Sequence, residues 1–232
     1  MRLTTLVSLS ILSVGSLGAP FNGDQIVLQD IPTVEEGARV ARTLVHRESL
    51  ANINTIKSIK QEDGSFRHLP VSSMEYYADC DSDGDPYWLA IDVGGTNQNI
   101  IKGSDYSFTI RVGDHPSNDN VDESYPGSIP ASPAGSPRVQ LSGRLQKITF
   151  TNPFDPKKVA LEKCFLTRHP DAAMWLPNNL VSPHKSHWTK LIVDDVYMIG
   201  GFGDRAYIGS INSELYHSAE IIEGSKEMHI RK

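Results

Sequence analysis

The chain has 232 residues, a formal net charge of −6 and two cysteines. The acidic balance argues against nucleic-acid binding, which needs a clustered basic surface. Beyond the N-terminus, no segment approaches the roughly 18 consecutive apolar residues of a membrane-spanning helix, and two cysteines are too few for a disulfide-built scaffold. The length suits one large domain or at most two small ones.

The first nineteen residues have the three-part layout of a secretory signal peptide. Arg2 supplies the charged start, LVSLSIL forms a short apolar core, and VGSLGA provides a small-residue exit. A buried N-terminal strand is the alternative that these letters leave open. We predict that residues 1–19 are a signal peptide and that the mature protein is secreted, without a membrane span.

The predicted secondary structure begins with a helix and continues as a series of strands. Thr33 and Glu36 have the spacing of a capping box, and apolar residues then recur at helical spacing to about residue 50. Strand-like runs follow at 52–59, 66–77 and 87–93. The turn-forming peptides QEDGS and DCDSDGDP separate them. This spacing predicts an antiparallel meander.

The second half of the chain predicts further strands with helices between them. A short helical or irregular connection at 96–103 precedes a strand at 106–112. Residues 113–137 are rich in Pro, Ser and Gly, which predicts a long surface loop, with a domain boundary as the alternative. Strands at 138–150 and 188–200 flank a helix at 156–167. We expect a mainly β, α+β chain with peripheral helices, in which residues 20–232 form one barrel domain.

Two glycine-containing peptides resemble nucleotide-binding motifs without their context. LAIDVGGTN, residues 89–97, is similar to the first phosphate loop of sugar kinases and actin-like ATPases, but no second nucleotide motif follows it. A strand end with a glycine turn explains it better. GFGDRA, residues 201–206, fits a relaxed dinucleotide pattern, yet a strand-like peptide follows where a helix is required. We predict a glycine hairpin there.

Three further groups of residues could bind a metal or form a covalent link. DCDSDGD, residues 79–85, matches the start of a calcium loop, but Ala90 stands at the position that needs glutamate, so an Asp-Gly hairpin is favoured. His184 and His187 lack two further ligands, and we interpret them as surface or packing residues. Cys80 and Cys164 are either a disulfide or two buried thiols, since sequence does not test the Cα separation.

Several segments together resemble the CREG family of secreted glycoproteins. They are residues 38–56 (ARVARTLVHRESLANINTI), 87–92 (YWLAID), 136–148 (SPRVQLSGRLQKI), 164–176 (CFLTRHPDAAMWL) and 187–208 (HWTKLIVDDVYMIGGFGDRAYI). The family is part of the wider group of pyridoxamine-phosphate oxidase-like, FMN-binding split barrels. The resemblance implies a six-stranded split β-barrel, usually a homodimer, with ligand pockets at the dimer interface.

The same resemblance indicates where a flavin phosphate would lie. Flavin-using relatives hold it with Arg and Lys on the second strand and a Ser-Arg-Lys run after the third. Here the second strand reads RHLPVSSMEYY and the later run reads TNQNIIK, so the bidentate arginine is missing. The candidate cofactor-binding residues at these positions are Ser72, Ser73, Thr96, Asn97 and Lys102.

The leading hypothesis is a secreted, non-enzymatic, dimeric split-barrel protein that binds an extracellular or vacuolar partner or a small ligand. One alternative is an FMN-dependent oxidoreductase with a degenerate phosphate site. Another is a haem-handling protein with His169 or His187 as the axial ligand. We expect no resident cofactor, with FMN as the possible exception, and we identify no catalytic residue.

Overall fold

The computed structural model describes residues 31–116, 123–129 and 132–222. The predicted signal peptide, residues 1–19, lies outside the described residues. In chain order the described elements are α1 (Val34–Arg47), β1 (Leu50–Lys60), β2 (Phe66–Ala78), β3 (Tyr87–Ile91), α2 (Gly95–Ile101), β4 (Tyr106–Arg111), β5 (Arg138–Ile148), α3 (Pro156–Arg168), a 3₁₀ helix (Pro170–Trp175), β6 (Ser186–Ile199), β7 (Ile208–Ile211) and α4 (Ser213–Ser218). Of these, α4 was not predicted from the sequence.

Six of the strands form a closed antiparallel barrel. Their order is β3-β2-β1-β4-β5-β6, and β3 also pairs with β6, which closes the ring. The seventh strand, β7, pairs only with the C-terminal part of β6 and lies outside the ring. The predicted fold class, a mainly β six-stranded barrel with peripheral helices, is therefore confirmed, as is the β1–β2–β3 meander.

Alternate side chains of the strands, together with one face of α1, fill the barrel core. On β1, Ala51, Ile53 and Thr55 are buried and Asn52 is exposed, because successive side chains of a strand point to opposite faces. The apolar stripe of α1, which includes Leu44, packs into the same core cluster. The predicted capping box is present: Thr33 accepts a hydrogen bond from the Glu36 backbone, and the Glu36 side chain accepts one from the Thr33 backbone.

A second, smaller core lies on the opposite face of β3. Leu89 packs there with Phe165 of α3 and Trp188 of β6, whereas its neighbour Trp88 faces the barrel core. A disulfide between Cys80 and Cys164 covalently connects the turn after β2 to α3. Of the two alternatives left by the sequence, the structure therefore selects the disulfide.

The barrel is split between β2 and β3. Only Tyr77↔Trp88 and Ala78↔Tyr87 are paired there, although all five residues of β3 pair with β6 on its other edge. Beyond the two paired positions, β2 and β3 separate. The start of α2 lies next to this opening, where Thr96 contacts Glu75 of β2.

The β6–β7 connection and the described parts of the 113–137 loop pack against the barrel. GFGDRA forms the connection between β6 and β7, which confirms the predicted hairpin. In the described parts of the 113–137 loop, Tyr125 is buried in the barrel core. Gly127 has a φ of +77°, and a Cβ there would lie 2.1 Å from the Arg205 carbonyl oxygen, so the close approach requires glycine. Within the described ranges, no helix has the length and apolar character to cross a membrane.

Candidate functional site

The predicted phosphate-binding residues Thr96 and Asn97 lie in the first turn of α2, and both are buried. Thr96 Oγ1 donates its hydrogen bond to Glu75 Oε1 at 2.6 Å. Asn97 Nδ2 donates to the carbonyl oxygen of Asp92 at 3.2 Å. These bonds connect α2 to β2 and to the end of β3, so both side chains already have partners within the fold.

The other three predicted site residues lie apart from this turn. Ser72 lines a groove of about 440 Å³ on the outer face of the sheet, where it pairs in register with Asn54. Ser73 is exposed on β2. Lys102 is exposed at the opposite end of α2, where it forms the C-cap. The structure thus brings Thr96 and Asn97 together and places Ser72 and Lys102 elsewhere, whereas Ser73 lies on the same face of β2 as Glu75, two residues along the strand.

Sequence reasoning missed Glu75, which is the charged group closest to Thr96. Its Oε2 accepts a hydrogen bond from Trp88 Nε1 at 3.3 Å, and its Oε1 accepts the one from Thr96. Burial raises the pKa of Glu75, and the two hydrogen bonds offset part of that rise. Glutamate on a strand carries no motif, so only the closeness of β2, β3 and α2 reveals this position.

An FMN phosphate fits poorly at the start of α2. The single hydroxyl hydrogen of Thr96 is already donated to Glu75, and a carboxylate beside that hydroxyl repels a phosphate. One amide hydrogen of Asn97 is also used internally. That these residues hold FMN stays a prediction, which requires Glu75 to be protonated or displaced.

His187 and Asp92 form a second polar site near the same corner. His187 Nδ1 lies 2.7 Å from Asp92 Oδ1, and both residues line a cleft of about 490 Å³. Lys147 and Lys185, both exposed, line the same cleft. When Nδ1 carries the proton for Asp92, the lone pair of Nε2 is available to bind a metal centre or accept a proton.

His169, the other histidine named as a possible haem ligand, is in a different situation. It is buried, its ring stacks on Tyr76 with centroids 4.2 Å apart, and its Nε2 lies 3.0 Å from the Tyr77 carbonyl oxygen. Burial lowers the pKa of His169, so it is held in the neutral form. Since Nε2 must donate to that carbonyl, this nitrogen is not available to iron.

The acidic turn that resembles a calcium loop is neutralised by the protein itself. Lys190 Nζ lies 2.6 Å from Asp81 Oδ2 and 2.7 Å from Asp83 Oδ2. Asp79 instead pairs with Arg42 at 3.2 Å. An ammonium group thus lies between two of the carboxylates that would have bound calcium. Throughout the described ranges, no cluster of three or more His, Cys, Asp or Glu side chains could hold a metal ion.

A protein-family model described as CREG, beta-barrel, matches residues 32–218. Among solved structures, a haem-binding protein from Mycobacterium smegmatis is similar, with 20% identity and a TM-score of 0.53, over 82% of this chain and 62% of that one. A protein of unknown function from Agrobacterium tumefaciens is also similar, with 20% identity and a TM-score of 0.45, over 77% of this chain and 64% of that one.

Each of these likenesses is below 25% identity, and the first supports the fold alone. The chain spans less than two thirds of the length of either protein. A search of curated proteins found no match.

Proposed function

Because the chain belongs to the CREG β-barrel family, we propose that it is a secreted, non-enzymatic protein, which acts by binding a partner or a small ligand. The observation that carries this proposal is that the Thr96 hydroxyl is hydrogen-bonded within the protein. The hydroxyl donates its hydrogen bond to Glu75. The start of α2, where a flavin phosphate would bind, therefore has a carboxylate next to it. A binding role requires no such phosphate site.

The disulfide supports the secretory part of the proposal. Disulfides such as Cys80–Cys164 form and persist in oxidising compartments and are rare in the cytosol. The predicted signal peptide at residues 1–19 agrees with this compartment. We infer that the partner or ligand is met outside the cell or in a vacuole.

A haem-handling role is the second candidate, and the geometry of His187 favours it. Histidine ligands of metals typically donate their other ring N–H to a carboxylate, as His187 does when Nδ1 binds Asp92. Lys147 and Lys185 of the same cleft would suit the two propionates of a haem. The similar Mycobacterium smegmatis structure is of a haem-binding protein.

The visible absorption spectrum of protein purified from a secreting host tests these roles. A colourless protein that stays colourless after addition of FMN and haem supports the non-enzymatic proposal. A flavin band overturns it in favour of an FMN-dependent oxidoreductase, and a Soret band overturns it in favour of haem handling.

If a Soret band does appear, two variants locate the ligand. His187→Ala is expected to abolish the haem-dependent shift, because it removes the proposed axial nitrogen. His184→Ala removes an exposed histidine from the same cleft and serves as the matched control. Equal binding by both variants excludes His187 as the ligand.

A further inference from the structure

A cleft at one end of the barrel, which we name the mouth cleft, is lined mainly by basic and polar side chains. It is the cleft of about 490 Å³ that His187 and Asp92 line together with His184, Lys147 and Lys185. Small-molecule sites in proteins generally have volumes of about 300–1,000 Å³. The mouth cleft therefore has the size of a ligand site, and its ionisable lining residues are all basic except Asp92.

The strand register brings three of the basic side chains to one face of the sheet. Lys147 of β5 pairs with Thr189 of β6. His187 lies two residues before Thr189, so its side chain shares this face with that of Lys147. On the other side of β6, the Asp92 N–H donates to the Lys185 carbonyl oxygen at 2.9 Å, which continues the β3–β6 register by one pair. Lys185 lies two residues before His187, so its side chain projects to the same face.

The two lysines of the mouth cleft have no carboxylate partner in the part of the chain that the structure describes. By contrast, Lys158 pairs with Glu162, and Lys190 pairs with two aspartates. The one acidic residue that lines the cleft is already engaged, because Asp92 Oδ1 lies 2.7 Å from His187 Nδ1. The cleft thus presents positive charge in a chain whose formal net charge is −6, which favours an anionic ligand at this place.

The wall of the cleft that faces the strands has a fixed shape. Residues 178–184 contribute to this wall. Asn179 Nδ2 donates to the Ala173 carbonyl oxygen at 3.1 Å, and Asn179 Oδ1 accepts from the Val181 N–H at 3.0 Å. Ser182 Oγ donates to the His184 carbonyl oxygen at 2.6 Å. A wall that is already ordered lowers the entropy cost of binding.

We propose that the mouth cleft binds a small phosphate monoester, whose dianionic group pairs with the ammonium groups of Lys147 and Lys185. A phosphate monoester carries nearly two negative charges at pH 7 and several acceptor oxygens, so it matches two lysines better than a carboxylate does. The volume corresponds to about sixteen water molecules, so roughly sixteen non-hydrogen atoms of a ligand fit within it.

This inference rests on the proposed function, because it names the class of ligand that the binding protein takes. The mouth cleft is also separate from the position that the family resemblance implies for a flavin phosphate. None of the five residues that the resemblance indicates, Ser72, Ser73, Thr96, Asn97 and Lys102, lines it.

The test titrates the full chain, in a buffer free of phosphate, with glycerol 3-phosphate, glycerate and glycerol. These probes carry about two, one and no negative charges on a similar carbon skeleton. Phosphorus NMR and saturation-transfer NMR follow binding, with ligand up to about 10 mM. We expect glycerol 3-phosphate to bind at least about tenfold more tightly than glycerate, because its dianion pairs with both lysines. Glycerol should not bind.

Four variants identify the residues responsible. Lys147→Gln and Lys185→Gln each remove one ammonium group from an exposed position, and each is expected to weaken phosphate binding about fivefold or more. Lys147→Arg retains the positive charge and should bind within about twofold of wild type. Lys57→Gln removes an exposed lysine of β1 outside the cleft and is the matched control, with unchanged binding expected.

Several results would overturn the inference. They are a wild-type protein that does not bind glycerol 3-phosphate, and glycerate that binds as tightly as the phosphate. Unchanged binding by both Lys147→Gln and Lys185→Gln would do the same, as would an equal loss in Lys57→Gln. A colourless protein that binds no phosphate monoester refutes this inference alone, whereas a flavin or Soret band refutes the proposed function.

Discussion

At the scale of single residues, Glu48 is a buried carboxyl whose pKa is strongly raised. Its side chain is fully buried, and burial raises its pKa to about 7, although His115 and the Gly113 N–H act in the opposite direction. His115 Nδ1 is 3.4 Å from Glu48 Oε2, and neither atom forms a hydrogen bond. The folded protein therefore favours the protonated carboxyl.

This raised pKa predicts a pH-dependent stability. Unfolded Glu48 titrates near 4.5 and folded Glu48 near 7, so its stabilising contribution is complete below pH 4.5 and is lost as the pH rises to about 7. The loss has an upper bound of about 3 kcal/mol. We expect Glu48→Gln to flatten this part of the profile, because a glutamine side chain does not titrate. The glutamine oxygen can still accept the hydrogen bond from the Gly113 N–H.

Urea unfolding of wild type and Glu48→Gln between pH 4 and pH 8 measures the difference. The exposed Glu62→Gln variant should follow the wild-type profile. If the profiles of wild type and Glu48→Gln run parallel, Glu48 titrates normally and the prediction is wrong.

Lys190 places its ammonium group between two carboxylates of the acidic turn, Asp81 and Asp83. Burial alone would lower the pKa of Lys190, but the hydrogen bonds to Asp81 and Asp83 raise it above its ordinary value. The same bonds help to hold the pKa of Asp81 below its ordinary value, although burial alone would raise it. The ammonium group therefore remains charged and occupies the space between the two carboxylates.

We predict that Lys190→Met destabilises the protein by about 1–2 kcal/mol, because it leaves two half-exposed carboxylates without a cation. The thermal midpoint measures the loss. Millimolar calcium should raise the midpoint of Lys190→Met but not that of Lys185→Met, which removes an exposed lysine. Unchanged stability of Lys190→Met would show that the pair contributes little.

At the scale of elements, the disulfide covalently joins two segments that lie far apart in the chain. Cys80 lies just after β2 and Cys164 lies in α3, with a sequence separation of 84. Closing such a long loop restricts the unfolded chain and stabilises the folded state. The second core, around Leu89, Phe165 and Trp188, includes Phe165, the residue next to Cys164 on α3.

For the double variant Cys80→Ser/Cys164→Ser, we expect a loss of about 4 kcal/mol in the free energy of unfolding. Chemical denaturation measures it, and wild-type protein treated with a reductant provides the control, which should show a similar loss. A difference below about 1 kcal/mol would mean that packing of α3 is sufficient without the covalent link.

At the scale of the whole molecule, the barrel closes through a contact between distant parts of the chain. The β3–β6 ladder pairs Tyr87 with Lys190 and Ile91 with Ser186. β2 and β3 are adjacent in sequence yet share only two paired positions. The ring is therefore completed by β6, and the split lies between sequence neighbours.

We predict that the chain forms a homodimer, as the family resemblance implies. Size-exclusion chromatography with light scattering should give twice the mass of one mature chain at micromolar concentration. Met74→Asp, which places a charge on an exposed apolar position near the split, tests whether this face contributes, and Val159→Asp on α3 is the control. A strict monomer at that concentration contradicts the dimer.

Most elements of the fold were predictable because their causes are local. The capping box at Thr33 and the alternation around Ile53 follow from neighbouring residues. The site was less predictable. Thr96 and Asn97 were correctly placed in a short helical connection after the third strand. Glu75 has no local signature, and the pairing of His187 with Asp92 spans 95 positions.

The sequence by itself determined the order of helices and strands before α4, the turn chemistry and the identity of the two cysteines. Only the tertiary structure decided that Cys80 bonds to Cys164, that Lys190 neutralises the acidic turn across 109 positions, and that Glu75 meets Thr96. The physical reason is the separation in sequence over which each interaction acts. Periodicity and capping act over a few residues, whereas these contacts depend on how the packed core sets the register of strands far apart in the chain.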